Sequence, residues 1–198
     1  MASTHPPTPT TLAQAMEPAW LSHALTGLTG GARITDVQVV EVIRTMATKV
    51  RFTVKWDGGG AALCLKAFLD VDAETARGGS TTITEADFYT DLAPRLGVRV
   101  PACVAAIADR EKVQGIIIMR DLIAEGARFC TALEPFTVDQ AAASLEQIVQ
   151  LHAGASLLGP ATWVRPRIAD FANGNFVPAP LLQQLLDSGV GLYIHPGE

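Results

Sequence analysis

The spacing of apolar positions divides the chain near residue 33. Residues 18–28 repeat at helical spacing, with Trp20, Leu21, Ala24, Leu25 and Leu28 on one face and Gly30-Gly31 as the stop. From Arg33 the period becomes two. Residues 34–44 predict a strand whose alternation slips between Val39 and Val40, the sign of a bulge. Residues 49–56 alternate cleanly, Val50, Phe52, Val54 and Trp56 against Lys49, Arg51, Thr53 and Lys55, which predicts one buried and one wet face. Asp57-Gly58-Gly59-Gly60 predicts a hairpin turn, and residues 61–68 the return strand. Residues 80–96 then read as a helix. Residues 101–108 and 113–119 read as two more strands, joined by the polar turn Asp109-Arg110-Glu111-Lys112.

Past Asp121 no strand pattern remains. Thr137 and Gln140 form a capping box that opens a long helix with Val138, Ala141, Ala142, Leu145, Ile148, Val149 and His152 on its apolar face. A short helix is expected over residues 180–187, stopped by Gly189. Residues 1–16, rich in Pro, Thr and Ala, read as a loose tail. The expected fold class is α+β: a five-stranded antiparallel sheet with a helix inserted after its third strand, then helices only. The expected divisions are a tail and short helix over 1–32, a sheet-containing lobe over 33–122, and an incomplete helical region over 123–198.

Composition narrows the function. A chain of 198 residues that is 48% hydrophobic and 18% charged is not a disordered one. A net charge of -5 without a basic stripe argues against nucleic acid, whose phosphates demand clustered Lys and Arg. No segment is apolar for long enough to cross a bilayer, and the N-terminus has neither the basic nor the apolar region of a signal peptide. The three cysteines, Cys64, Cys103 and Cys130, are odd in number and far apart, which suits a reducing, cytoplasmic setting.

The lysines number only four, and Lys66 stands out among Leu63, Leu65 and Phe68 near a strand end. A charge there must find a partner or reach out to water. Glu85 lies on the apolar side of the next helix, three, four and seven residues before Phe88, Tyr89 and Leu92. Two readings of Glu85 stand: a helix cap, since Thr82-x-x-Glu85 is also a capping box, or an ion-pair partner for Lys66. A strand lysine paired with a glutamate on the following helix is the arrangement that aligns nucleotide phosphates in kinases.

On LCLKAF around Lys66, TEADFYTDLAP around Glu85, IIIMRDL at residues 116–122 and LEQIVQLHA ending at Ala153, the chain resembles the small-molecule kinases related to aminoglycoside phosphotransferases and choline kinase, in particular the ecdysteroid-kinase-like branch. The resemblance covers residues 33–155 and implies a protein-kinase-like N-lobe followed by the start of a C-lobe. It further implies ATP as cofactor, with magnesium in intact members. Lys66 would contact phosphates, Glu85 would hold Lys66, and Cys64 would take the small-residue position over adenine. Ile118, Met119, Arg120, Asp121 and Leu122 would supply the hinge. Thr48 would lie in the loop over the phosphates.

Two departures accompany it. The phosphate-covering loop, residues 44–49, contains no glycine, and Arg120 stands where an acidic residue is common. No His-Gly-Asp or His-Arg-Asp loop occurs, since none of His5, His23, His152 and His195 precedes such a pair. Asp170-Phe171-Ala172-Asn173-Gly174 reads as a surface turn, and His152 as a core histidine with one satisfied nitrogen. Catalytic and metal-ligating residues are therefore expected to be absent, which makes this the nucleotide-binding half of a phosphotransferase without turnover. The small-molecule acceptor would be chosen by a C-lobe in a full-length relative. The alternatives are a non-catalytic binding or scaffolding module, docking a partner on the apolar face of the 138–152 helix, and a gene fragment without its own activity.

Overall fold

The computed structural model describes residues 7–72, 76, 78–130, 133–159, 161–164, 183 and 187. Chain contacts divide into two compact units, Met1–Ala161 and Thr162–Glu198. In the second, Gln183 Nε2 donates to Asp187 Oδ1 at 2.8 Å. The rest of the helix expected over residues 180–187 lies outside the described residues, as do the 170–174 turn and His195.

The first unit is α+β. Its elements run α1 (Leu12–Ala15), α2 (Pro18–Ala24), α3 (Thr26–Thr29), β1 (Ile34–Arg44), β2 (Thr48–Trp56), β3 (Gly59–Ala67), α4 (Gly79–Asp87), β4 (Cys103–Asp109), β5 (Gln114–Arg120) and α5 (Val138–Ala153). All five strands are antiparallel, in the order β1-β2-β3-β5-β4. The expected bulge is present as a register shift between Val39 and Glu41. Gly58 turns the β2–β3 hairpin at φ 83°, a conformation that favours glycine. No helix among the described residues is long and apolar enough to cross a membrane.

One sheet face carries the core. Val50, Phe52 and Val54 of β2, Leu63 and Leu65 of β3, and Ile116 and Ile118 of β5 are buried there. Ala15, Trp20, Leu21 and Leu25 cover them from the N-terminal helices. Full burial of a leucine is worth roughly 1.5–3 kcal/mol, so this cover is integral to the lobe. The loose tail expected over residues 1–16 is thus corrected for residues 7–16. Thr11 and Gln14 form a capping box on α1. Buried Thr8 donates to Asp109, Lys112 Nζ donates to the Thr8 carbonyl at 3.0 Å, and Asp70 N–H donates to the Thr10 carbonyl at 3.0 Å. These anchors are backbone groups and polar or charged side chains, invisible to hydrophobic periodicity.

On the opposite face α4 approaches the β4–β5 hairpin backbone to backbone. A side chain on Gly79 would overlap the Val113 carbonyl, and one on Gly115 would overlap the Thr82 backbone. Gly115 N–H donates to Thr82 Oγ1 at 3.1 Å, and Arg110 grips both Asp87 oxygens at 2.8 Å. Val113 itself sits at φ 52°, a strained conformation for a β-branched residue. Beside it, buried Gln114 accepts from Phe68 N–H at 3.3 Å and donates to the carbonyls of Phe68 (2.6 Å) and Pro9 (3.3 Å). One amide thereby ties β5, the exit of β3 and the N-terminal segment together.

The helix expected over residues 80–96 starts at Gly79 and changes character after Asp87. It widens to a π turn over Phe88–Leu92, then tightens to a 3₁₀ turn over Ala93–Arg95. Pro94, which has no N–H, cannot continue the regular ladder. The capping box expected at Thr137 and Gln140 is formed on α5. Its apolar residues Val138, Leu145, Ile148 and Val149 are exposed, and so is His152, which corrects the core reading of that histidine.

Two outcomes follow for stability. Gly115→Ala is expected to cost at least ~2 kcal/mol, because rigid backbone must yield, and to lower the melting temperature by about 4–8 °C in calorimetry. An unchanged melting temperature contradicts the close contact. Burial pushes the Asp109 carboxyl up, but the Thr8 hydroxyl and the Lys112 and Glu111 backbone groups outweigh it and hold the pKa below the ordinary 3.8. A depressed folded-state pKa stabilises at pH values above the unfolded pKa and is lost as pH falls through the folded one. Urea midpoints of wild type and Asp109→Asn should therefore differ above about pH 5 and converge below 3.8.

Candidate functional site

Strand pairing places two rows of side chains on the sheet face opposite the core. One row reads Glu41, Arg51, Cys64, Met119 and Cys103 across β1, β2, β3, β5 and β4. The next reads Ile43, Lys49, Lys66 and Ile117. Rows two residues apart lie roughly 7 Å from each other. Above them opens a cleft of about 490 Å³, also lined by Glu85, Tyr89, Pro101, Phe129 and residues 120–123.

Lys66 Nζ meets Glu85 Oε2 at 2.5 Å, with the two side chains 28% and 27% exposed. The structure decides between the two readings of Glu85. Because α4 begins at Gly79 after the N-cap Gly78, Thr82 lies inside the helix and donates to the Gly79 carbonyl at 2.9 Å. Glu85 is then more than a turn past the start and caps nothing. Gly79, Thr82 and Glu85 recur at three-residue spacing on α4, so the side seated on the hairpin also carries Glu85 to the sheet, and Tyr89 of the following π turn lines the cleft beside it. Burial and the Glu85 charge push the Tyr89 hydroxyl up to about 12, so it stays protonated.

The second charged group was not anticipated from the sequence. Arg51 Nε donates to both Asp121 oxygens, at 3.2 and 3.0 Å, and its Nη1 donates to Glu41 Oε2 at 2.8 Å. The hydrogen bond to Glu41 raises the Arg51 pKa most; burial opposes it, and Asp121 adds to the rise. The Asp121 side chain is 5% exposed and also accepts from Ile123 N–H at 3.0 Å. The alternation in β2 put Arg51 on the wet face, but its place opposite Cys64 needed the register.

Of the expected site residues, Lys66, Glu85, Cys64, Met119, Arg120, Asp121 and Leu122 line the cleft. Thr48 does not. It belongs to the core parity of β2, is buried, and donates to the Leu69 carbonyl at 3.1 Å. Ile118 is fully buried between β3 and β4, facing the core. The hinge amides are also partly spent: Arg120 N–H donates to the Ala102 carbonyl at 2.9 Å and Asp121 N–H to the Ala62 carbonyl at 3.1 Å. The glycine-free loop closes on itself, with Thr45 Oγ1 donating to the Ala47 carbonyl at 2.9 Å.

No protein-family model, no curated protein and no solved structure matches the chain.

The thiols offer a direct check of the cleft's burial. Burial pushes Cys64 up, aided by the Asp121 charge and opposed by Arg51 and Lys49; it also carries Cys103 to about 11. Since the thiolate is the nucleophile, Cys103 should alkylate about 100-fold more slowly than an ordinary thiol at pH 8. Peptide mapping after iodoacetamide treatment should find exposed Cys130 modified first. Equal rates at all three positions contradict the arrangement.

Proposed function

We propose that the cleft binds a nucleotide, ATP, as the nucleotide-binding half of a small-molecule phosphotransferase with a protein-kinase-like N-lobe. The observation that carries this reading is the Lys66–Glu85 pair at 2.5 Å beside a largely apolar cavity. A carboxylate that fixes the ammonium leaves its remaining protons directed by the site, so phosphate oxygens meet an oriented donor. Lys49, in the same row, adds a second cation. The row through Cys64 and Met119 gives the base a soft apolar wall, and a strand pleat of roughly 7 Å leaves room for a sugar between the two.

ATP brings magnesium in this class of reaction. The carboxylates lining the cleft, Glu41, Glu85 and Asp121, are each engaged by a cation, and no three His, Cys, Asp or Glu groups converge among the described residues. These residues do not fit a magnesium ion of their own. The proposal accordingly assigns them holding and orientation, not transfer.

Isothermal titration with ATP tests it. Lys66→Met keeps the apolar stem and removes the charge, and should weaken ATP binding at least about tenfold, the scale of a lost charge-assisted hydrogen bond. Glu85→Gln should weaken it less, in the same direction. Equal ATP affinity in wild type and Lys66→Met, with both folded by circular dichroism, contradicts the reading.

One observation favours a second reading as a partner-binding module: Val138 is 85% exposed, Leu145 61% and Val149 62%, along one helix. Light scattering that finds a monomer at all concentrations, without binding of a hydrophobic dye, counts against it.

A further inference from the structure

We propose that the Arg51 guanidinium, pinned by Asp121 and Glu41, is the stacking platform for the aromatic ring of the cleft's ligand. This platform rests on the nucleotide reading and adds to it the residue that selects the ring.

The register carries the inference. Arg51 stands directly opposite Cys64 on β3, and Asp121 follows the end of β5, on the far side of β3. Asp121 is fastened to β3 by its N–H bond to the Ala62 carbonyl. To reach Asp121 at 3.0 Å from β2, the Arg51 side chain must cross β3 on its cleft face, over the Cys64 neighbourhood.

Two acceptors, one on β1 and one just past β5, fix the guanidinium. Asp121 takes Nε, and Glu41, directly opposite Arg51 on β1, takes Nη1. A planar cation held at two edges keeps its faces for stacking. The Arg51 side chain is 16% exposed and borders the cleft. Its neighbours along the row are the sulfurs of Cys64 and Met119, soft atoms that favour aromatic contact. A guanidinium with adjoining sulfurs suits an electron-rich ring better than an aliphatic group. The cations for the ligand's anionic end, Lys49 and Lys66, occupy the neighbouring row.

Arg51→Lys tests the platform, because an ammonium can still neutralise Asp121 but offers no planar face. ATP, adenosine and inorganic tripolyphosphate are titrated separately. The platform predicts that Arg51→Lys weakens ATP and adenosine by the same factor, about three- to tenfold, and leaves tripolyphosphate unchanged. Glu41→Gln loosens one pin at an exposed position and should give a smaller loss of the same pattern. Losses shared by ATP and tripolyphosphate, with adenosine untouched, would make Arg51 an anion ligand and overturn the platform. So would unchanged adenosine affinity in both variants. If wild type binds none of the three probes, the nucleotide reading fails and the platform with it. If ATP depends on Lys66 but not on Arg51, only the platform fails.

Discussion

The position of the Lys66–Glu85 pair depends on how closely α4 lies against the β4–β5 hairpin. Two glycines, Gly79 and Gly115, remove the side chains that would hold the helix off, and Thr82 uses its hydroxyl to accept the Gly115 amide. Glu85 lies three residues past Thr82, on the same face of the helix, so its direction is set by the contact that Thr82 makes. On the strand side, Lys66 is two residues from Phe68, whose amide and carbonyl are both bound by the Gln114 side chain. The two halves of the ion pair are thus referenced to adjacent residues of β5.

This explains why the sheet's faces differ. The core face is filled by Val, Leu, Ile and Phe and capped by the N-terminal helices, and its burial supplies most of the stabilisation. The cleft face carries few large apolar side chains of its own, and β2 and β3 line the cleft with three cations, Lys49, Arg51 and Lys66. Two of these are matched by carboxylates, Arg51 by Glu41 and Asp121 and Lys66 by Glu85. Half-buried pairs of this kind add modestly to stability, so their value lies in fixing where charge sits.

The sheet was legible because β2 alternates strictly and β1 slips after Val39; both features appear in the register, which shifts a second time between Ile34 and Asp36. The partnership of Lys66 and Glu85 was legible only as one of two options, since the capping box Thr82-x-x-Glu85 has the same letters whether or not the helix begins there. Where it begins depends on Gly79 meeting Val113, a contact 34 residues away in sequence. The side chains of Thr48 and Ile118 do not face the cleft: each is next to a cleft residue and therefore points the other way. Arg51 was on the right face but had no visible partner until pairing set it beside Glu41 and brought Asp121 within reach. Residues 7–16 are anchored in part by Leu12, Ala15 and Met16 against the core and in part by polar contacts of Thr8, Pro9, Thr10 and Asp70, which carry no apolar signature.

The central claim is that the two rows opposite the core form a nucleotide site. Amide chemical shifts of the labelled protein, followed as ATP is added, test it most directly. The account predicts saturable shifts at Cys64, Lys66, Tyr89, Met119 and Leu122, with little change at Trp20, Leu25 and Phe52 on the covered face. Shifts confined to residues away from the cleft, or none at millimolar ATP, would contradict it.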